Sequence, residues 1–242
     1  TLSLHDALPI CKLDIDPKTL DTMREYFAEF GLGTKTGIDI PSESVGYLPE
    51  SEKLVNILYL SFGQFDLYTP LQLVQYASVI ANGGVRYAPR LVKEIRNTDA
   101  NGHLGGVETT IEPKVMNVVP VEKSVMDRIH EGMYQVSHTM DGSAHYLFMN
   151  YPIKVGSKTG TDEAFYAGPI QYAANNPVVN ATYIGYAPYD KPEIAVSVVL
   201  PYLPADATGR DSTRIARDVM NAYFEMREAT RSTIESYKPN QP

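Results

Sequence analysis

The sequence is poor in several residue types, and each shortage excludes a class of protein. It has no tryptophan and a single cysteine, Cys11, so it can build neither a disulfide framework nor a cysteine-based zinc cluster. No apolar run approaches the about 18–20 residues that cross a bilayer, and the richest, 195–203, is interrupted by Ser197 and Pro201. Lysine and arginine number 21 against 29 acidic residues, with no basic block. Nucleic acid and anionic lipid require clustered positive charge, so we expect no nucleic-acid partner.

The rest of the composition is typical of a globular protein. The 242 residues are 43% hydrophobic and 21% charged, which is enough for a large domain with a buried core. Residues 1–11 show no periodicity, and both a loop and a non-native leader stay open as interpretations. We assign one domain to residues 12–230 and a polar, frayed tail to 231–242. Because the chain begins at Thr1 without a signal sequence, we expect it to be a piece of a longer chain.

Hydrophobic periodicity predicts helices followed by an antiparallel sheet. Apolar spacing and end signals predict helices over 16–30, 69–82, 122–137, 142–149 and 211–227. Strands are predicted over 55–62, 153–161, 180–187 and 193–200, the last two forming a hairpin, with an extended segment over 85–96 and a turn at 101–102. In the last helix we place Ile215, Val219 and Tyr223 on the inner face. The order of these elements indicates an α+β fold, an antiparallel sheet flanked by helices.

The segment with the most chemical information is 155–161, where an apolar strand delivers a lysine, two hydroxyls and a glycine. Strand alternation puts Lys158 and Gly160 on one face and Thr159 and Thr161 on the other. A lysine beside hydroxyls and free N–H groups can hold a carboxylate and lower the pKa of a neighbouring hydroxyl. Glycine has no side chain, so a substrate backbone can approach the strand closely at that point.

Other candidate sites are weaker. Lys35-Thr36-Gly37 repeats the triplet, but it follows a helix stop and precedes Pro41, so we interpret it as a turn. The sequence has no Gly-x-Ser-x-Gly elbow and no phosphate-binding loop, and we predict no cofactor. Metal binding is not expected, because none of the histidines belongs to a His-Glu-x-x-His pair: His5, His103, His130, His138 and His145.

Lys158-Thr159-Gly160-Thr161 resembles the third motif of penicillin-binding proteins, which lies on the strand lining the transpeptidase cleft. Further strings resemble the same family in the same order and cover residues 13–227, closest to its class B, monofunctional type. The resemblance implies a β-lactamase/transpeptidase-like fold whose N-terminal part is missing from this chain. The supporting strings lie at 30–33, 36–41, 62–64, 68–73, 80–84, 184–188 and 192–196.

The resemblance also implies an activity and a role for each motif residue. The family cross-links peptidoglycan through a serine that attacks D-Ala-D-Ala stem peptides. Lys158 would assist proton transfer, and Thr159 and Thr161 would bind the terminal carboxylate of the peptide or of a β-lactam. The Thr161 N–H would be an oxyanion donor, and Gly160 would leave room for the substrate. Implied partners are stem peptides, β-lactams and proteins of a division or elongation complex, at the extracytoplasmic face of the bacterial membrane. An N-terminal helix absent from this chain would be the anchor.

Departures from the family pattern keep alternatives open. No serine is followed by lysine three positions on, and no Ser-x-Asn occurs, so the nucleophile is not in this chain and we expect the chain alone to be inactive. The acidic pair Asp162 and Glu163 could weaken anion binding beside the motif. One alternative is a serine β-lactamase or β-lactam sensor domain of the same fold. Another is a non-catalytic module that binds wall peptide or partner proteins, and a third is an unrelated α+β protein with a chance triplet.

Overall fold

The computed structural model describes residues 16, 18–50, 54–169, 176–207 and 209–236. Its helices are α1 (Thr19–Glu29), α2 (Leu54–Ser61), α3 (Pro70–Ala81), α4 (Lys123–His138), α5 (His145–Phe148) and α6 (Arg210–Ser236). Its strands are β1 (Val85–Tyr87), β2 (Glu94–Thr98), β3 (Leu104–Thr110), β4 (Val115–Val118), β5 (Gly156–Ala164), β6 (Val178–Ala187) and β7 (Ile194–Pro204). The leader predicted over 1–11 and the end of the predicted tail lie outside the described residues.

The main sheet is antiparallel, with the strand order β5–β6–β7. Two smaller antiparallel pairs, β1 with β4 and β2 with β3, precede it in the chain. The predicted hairpin around 188–192 is the β6–β7 connection, and the predicted turn at 101–102 joins β2 to β3. The α+β architecture predicted from the sequence is therefore confirmed.

Helices cover both faces of the main sheet. Tyr183 and Tyr186 lie at odd and even positions of β6, so their fully buried rings point to opposite faces. On the Tyr183 face the core includes Phe148 of α5 and Met220 of α6. On the Tyr186 face it is completed by buried residues of α3 and α4, namely Ile80, Met126 and Met133. Apolar burial on both faces holds the sheet between the helices and so fixes the position of β5, the strand that carries the motif.

Several local predictions are confirmed. The helix predicted after Thr69 is α3, which begins with Pro70 and a capping box in which Thr69 and Gln72 bond reciprocally. The helices predicted over 16–30 and 122–137 are α1 and α4. The motif strand begins at Gly156, three residues later than predicted, and continues beyond the motif to Ala164.

The strand predicted over 55–62 is wrong, because these residues form α2. A short apolar run has no period that separates a buried strand from a helix. The run includes two leucines, Leu58 and Leu60, and leucine is a strong helix former. The segment is also not fully enclosed: Leu60 is buried, whereas Leu58 and Tyr59 remain 44% exposed.

The inner face predicted for the last helix is wrong at Ile215 and Val219, whereas the third residue, Tyr223, is half-buried. Ile215 and Val219 are 40% and 44% exposed, and the residues turned inward are Ser212, Thr213, Ala216 and Met220. A prediction from hydrophobicity alone placed the larger apolar residues, such as Ile215 and Val219, on the inner face. Three of these four inward side chains are small, and they let α6 pack closely against β6 and β7 while Met220 enters the core.

Candidate active site on strand β5

The Lys158-Thr159-Gly160-Thr161 motif lies in the middle of β5, at an open edge of the main sheet. Within the described ranges β5 pairs with β6 on one side and with no strand on the other. Thr159 pairs with Tyr183 and Thr161 with Ala181. An edge strand presents backbone N–H and C=O groups that no neighbouring strand uses. A peptide ligand can therefore approach the motif along this edge.

The two threonine hydroxyls share one face of β5, as strand alternation predicts. Thr159 Oγ1 lies 2.6 Å from Ser143 Oγ, in the turn between α4 and α5. Thr161 Oγ1 lies beside Gly209, where an added Cβ would be 3.4 Å away. The Lys158 side chain is exposed and its ammonium donates to the Thr159 carbonyl. The two hydroxyls on this face are donors suited to a carboxylate, and Lys158 extends from the opposite face of the same stretch of β5.

The packing of the sheet requires glycine at position 160, which the sequence did not predict. It pairs with Thr182 on β6, and a Cβ at position 160 would lie 2.3 Å from Thr182 Oγ1. A real Cβ does not approach a heavy atom so closely, so any side chain there would displace the Thr182 hydroxyl. The close contact with Thr182 is therefore a second reason for glycine at this position, beside the room for substrate that the sequence predicted.

Three side chains of α4 and the following turn bind alternate residues of β5 and the position just before it. His138 Nε2 accepts the Val155 N–H at 3.0 Å, and Ser137 Oγ lies 2.5 Å from Ser157 Oγ in full burial. Ser143 makes the third contact, to Thr159. Burial lowers the pKa of His138 and so favours the neutral ring, which can accept a hydrogen bond. The sequence predicted α4 but carried no signal that these residues face the motif strand.

The start of α6 adds positive potential beside Thr161. Gly209 precedes the first turn of this long helix, and a helix N-terminus carries partial positive charge. The Arg210 guanidinium lies 5.0 Å from the centre of the Tyr146 ring, which links α6 to α5. These groups favour an anion at the hydroxyl face of the motif.

The acidic pair after the motif lies on the strand itself. Asp162 points to the face opposite the two hydroxyls, where its carboxylate accepts from Asn180 Nδ2 at 2.9 Å. Burial raises the pKa of Asp162, although the Asn180 bond acts in the other direction. Glu163 is exposed and shares the face of Thr161. One of the two charges is therefore turned away from the hydroxyl face.

The second Lys-Thr-Gly triplet, predicted to be a turn, lies in an irregular loop and forms no turn. Thr36 is fully buried, and the Glu43 carboxylate accepts from the Thr36 hydroxyl at 2.6 Å and from the Thr36 and Gly37 N–H groups at 2.9 Å. Partial burial acts to raise the pKa of Glu43, but the Thr36 hydroxyl and the two N–H groups outweigh it and lower the pKa. This triplet binds a carboxylate of its own chain and is closed to a ligand.

Neither a metal centre nor a membrane span is found in the described part of the chain. It contains no group of three or more His, Cys, Asp or Glu side chains placed to hold a metal ion. No helix within it is long and apolar enough to cross a membrane.

Comparison with known proteins identifies the family. The protein-family model for the penicillin binding protein transpeptidase domain matches residues 14–221, which include β5 and its motif. The chain belongs to the penicillin-binding protein transpeptidase family. Its fold is therefore the β-lactamase/transpeptidase-like fold predicted from the sequence, of which this chain covers a part.

Relatives and solved structures agree. Penicillin-binding protein 2A of Bacillus subtilis is 41% identical over 225 residues, 92% of this chain and 30% of the relative. Penicillin-binding protein 2B of Streptococcus pneumoniae is 41% identical over 206 residues, 84% of this chain and 29% of the relative. The solved structure of that protein from strain R6 superimposes with a TM-score of 0.77 at 36% identity, covering 93% of this chain and 34% of that one. The chain thus spans about a third of the length of these relatives.

Proposed function

We propose that this chain is the third-motif part of a peptidoglycan D,D-transpeptidase whose nucleophilic serine lies outside these 242 residues. The serine oxygen attacks the carbonyl carbon of the penultimate D-Ala, the peptide C–N bond breaks, and the last D-Ala leaves with a proton on its amine. An amine of a second stem peptide then attacks the ester, which forms the cross-link and returns the proton to serine. The observation that carries the proposal is the open edge of β5, with two hydroxyls and a lysine grouped on it.

The residue roles follow the chemistry of that edge. Thr159 and Thr161 bind the substrate carboxylate from the face that the start of α6 makes electropositive. The Thr161 N–H donates to the oxyanion, and Lys158 assists proton transfer at the serine of the missing second motif. Gly160 leaves room for the peptide to lie against the strand. The same groups bind the carboxylate of a β-lactam.

The setting of the reaction follows from the substrate. Peptidoglycan lies outside the cytoplasmic membrane, so we place the domain at the extracytoplasmic face, with its anchor in another part of the full-length protein. The contact with division or elongation proteins stays a prediction. The relatives are named penicillin-binding proteins, which favours a transpeptidase over a β-lactamase or a β-lactam sensor.

The test uses the full-length chain and a fluorescent penicillin. We expect covalent labelling of the wild type, and labelling at least about 100-fold slower in Lys158→Met, because general acid–base assistance contributes about that much. Lys35→Met is the matched control, since it removes the lysine of the triplet whose Thr36 and Gly37 bind Glu43, and it should label at the wild-type rate. An unlabelled wild type would favour the non-catalytic binding module. Equal labelling of Lys158→Met and Lys35→Met would contradict the role given to Lys158.

A further inference from the structure

A serine outside the recognised motif contacts the hydroxyl that the proposed function assigns to carboxylate binding. Ser143 lies in the turn between α4 and α5, and its Oγ is 2.6 Å from Thr159 Oγ1. Both residues are accessible at the open edge of β5, since Ser143 is exposed and Thr159 half-buried. The pair is therefore within reach of any ligand that binds the motif.

The turn holds Ser143 in place from both sides. Gly142 packs so closely on the end of α4 that a Cβ there would lie 2.4 Å from the Val136 carbonyl oxygen. Ala144 is fully buried and donates its N–H to the same carbonyl at 3.0 Å. Gly142 N–H donates to the Thr139 carbonyl at 2.9 Å. The Ser143 hydroxyl is thus presented by a fixed backbone, which lowers the entropy cost of its bond to Thr159.

A count of protons defines what this contact can do. Each hydroxyl has one proton, so only one of the two can donate within the pair. A carboxylate can only accept. If Ser143 donates to Thr159, then the Thr159 proton is free to point at the ligand, and each bond in such a chain strengthens the next.

We propose that Ser143 is a positioning residue for the substrate carboxylate: its hydroxyl donates to Thr159 Oγ1 and so directs the Thr159 proton to the carboxylate. This inference rests on the proposed function. It assigns Ser143 no contact with the reacting carbonyl, so its effect should depend on whether the ligand has a carboxylate.

The experiment compares acylation of the full-length chain by penicillin G and by its methyl ester, which lacks the anion. We expect Ser143→Ala to slow acylation by penicillin G about five- to tenfold, the loss typical of one hydrogen bond, and to leave the ester rate unchanged. Ser143→Thr keeps a hydroxyl at this exposed position and should restore the rate.

Ser137→Ala is the matched structural control, because it removes the other hydroxyl link between α4 and β5 and no ligand contact. It should destabilise the domain and leave the ratio of the acid rate to the ester rate at the wild-type value. An unchanged ratio in Ser143→Ala, or the same change in Ser137→Ala, would overturn the inference while wild-type acylation still supports the proposed function. A wild type that neither compound acylates would overturn both.

Discussion

Replacing Gly160 by alanine separates the two reasons for a glycine in the motif. The added Cβ would lie 2.3 Å from Thr182 Oγ1 and 3.7 Å from Thr182 Cβ. Gly160 does not have a positive φ, so backbone strain does not contribute. The hydroxyl of a β-branched residue moves only by a change of χ1, and such overpacking costs about 1–3 kcal/mol. We expect Gly160→Ala to destabilise β5 locally by about 2 kcal/mol.

The second substitution, Thr182→Ala, removes the clashing oxygen and leaves an ordinary contact at 3.7 Å. The double variant should therefore regain most of the lost stability, so the two substitutions should be coupled by at least about 1 kcal/mol. If glycine is also needed for a close approach of substrate, then the double variant will be stable and will still be acylated slowly by penicillin.

Hydrogen exchange of the peptide that covers β5, measured in the full-length chain, reports the local free energy directly. About 2 kcal/mol corresponds to about 30-fold faster exchange in Gly160→Ala, with near-wild-type exchange in the double variant. Wild-type exchange in Gly160→Ala, or no recovery on adding Thr182→Ala, would refute the steric explanation.

Two further predictions concern the loop around Thr36 and the missing nucleophile. Glu43→Gln should speed amide exchange at Thr36 and Gly37, with a loss of about 1–3 kcal/mol at neutral pH, whereas Glu25→Gln on the exposed side of α1 should not. The pKa of Glu43 is lower in the folded than in the unfolded protein, so its stabilisation is present above the unfolded value of about 4.3 and is lost as the pH falls through the folded value. The stabilities of the wild type and Glu43→Gln should therefore converge in acid. A difference that stays constant with pH would contradict this. The 242-residue chain alone should gain no mass on incubation with penicillin, because it contains no Ser-x-x-Lys, and a stoichiometric adduct in an intact-mass spectrum would disprove that expectation.

Local rules predicted the parts of the fold that local interactions determine. Thr69, Pro70 and Gln72 form a capping box and a helix start that depend on a few neighbouring residues, and α3 begins there. Strand alternation likewise separated Thr159 and Thr161 from Lys158 without knowledge of the partner strand. The triplet at 35–37 was correctly placed outside any strand because its neighbours are loop residues, although it forms no turn.

The sequence did not predict features that arise from distant contacts. The contact between Gly160 and Thr182 depends on the β5–β6 register, which no local signal specifies. The side of α6 that packs inward is set by small residues such as Ala216, and a hydrophobicity pattern gives these little weight. Ser143 and Thr159 are 16 positions apart, and only the path of the turn after α4 brings their hydroxyls together.

The transpeptidase assignment is tested most directly by an exchange assay on a synthetic stem pentapeptide that ends in D-Ala-D-Ala. The full-length chain is incubated with this peptide and a labelled D-amino acid, and the product is followed by mass spectrometry. We expect that the label replaces the terminal D-Ala, that penicillin blocks the exchange, and that Lys158→Met abolishes it while Lys35→Met does not. Absence of exchange by the wild type, or undiminished exchange by Lys158→Met, would contradict the assignment of β5 as the motif strand of a peptidoglycan transpeptidase.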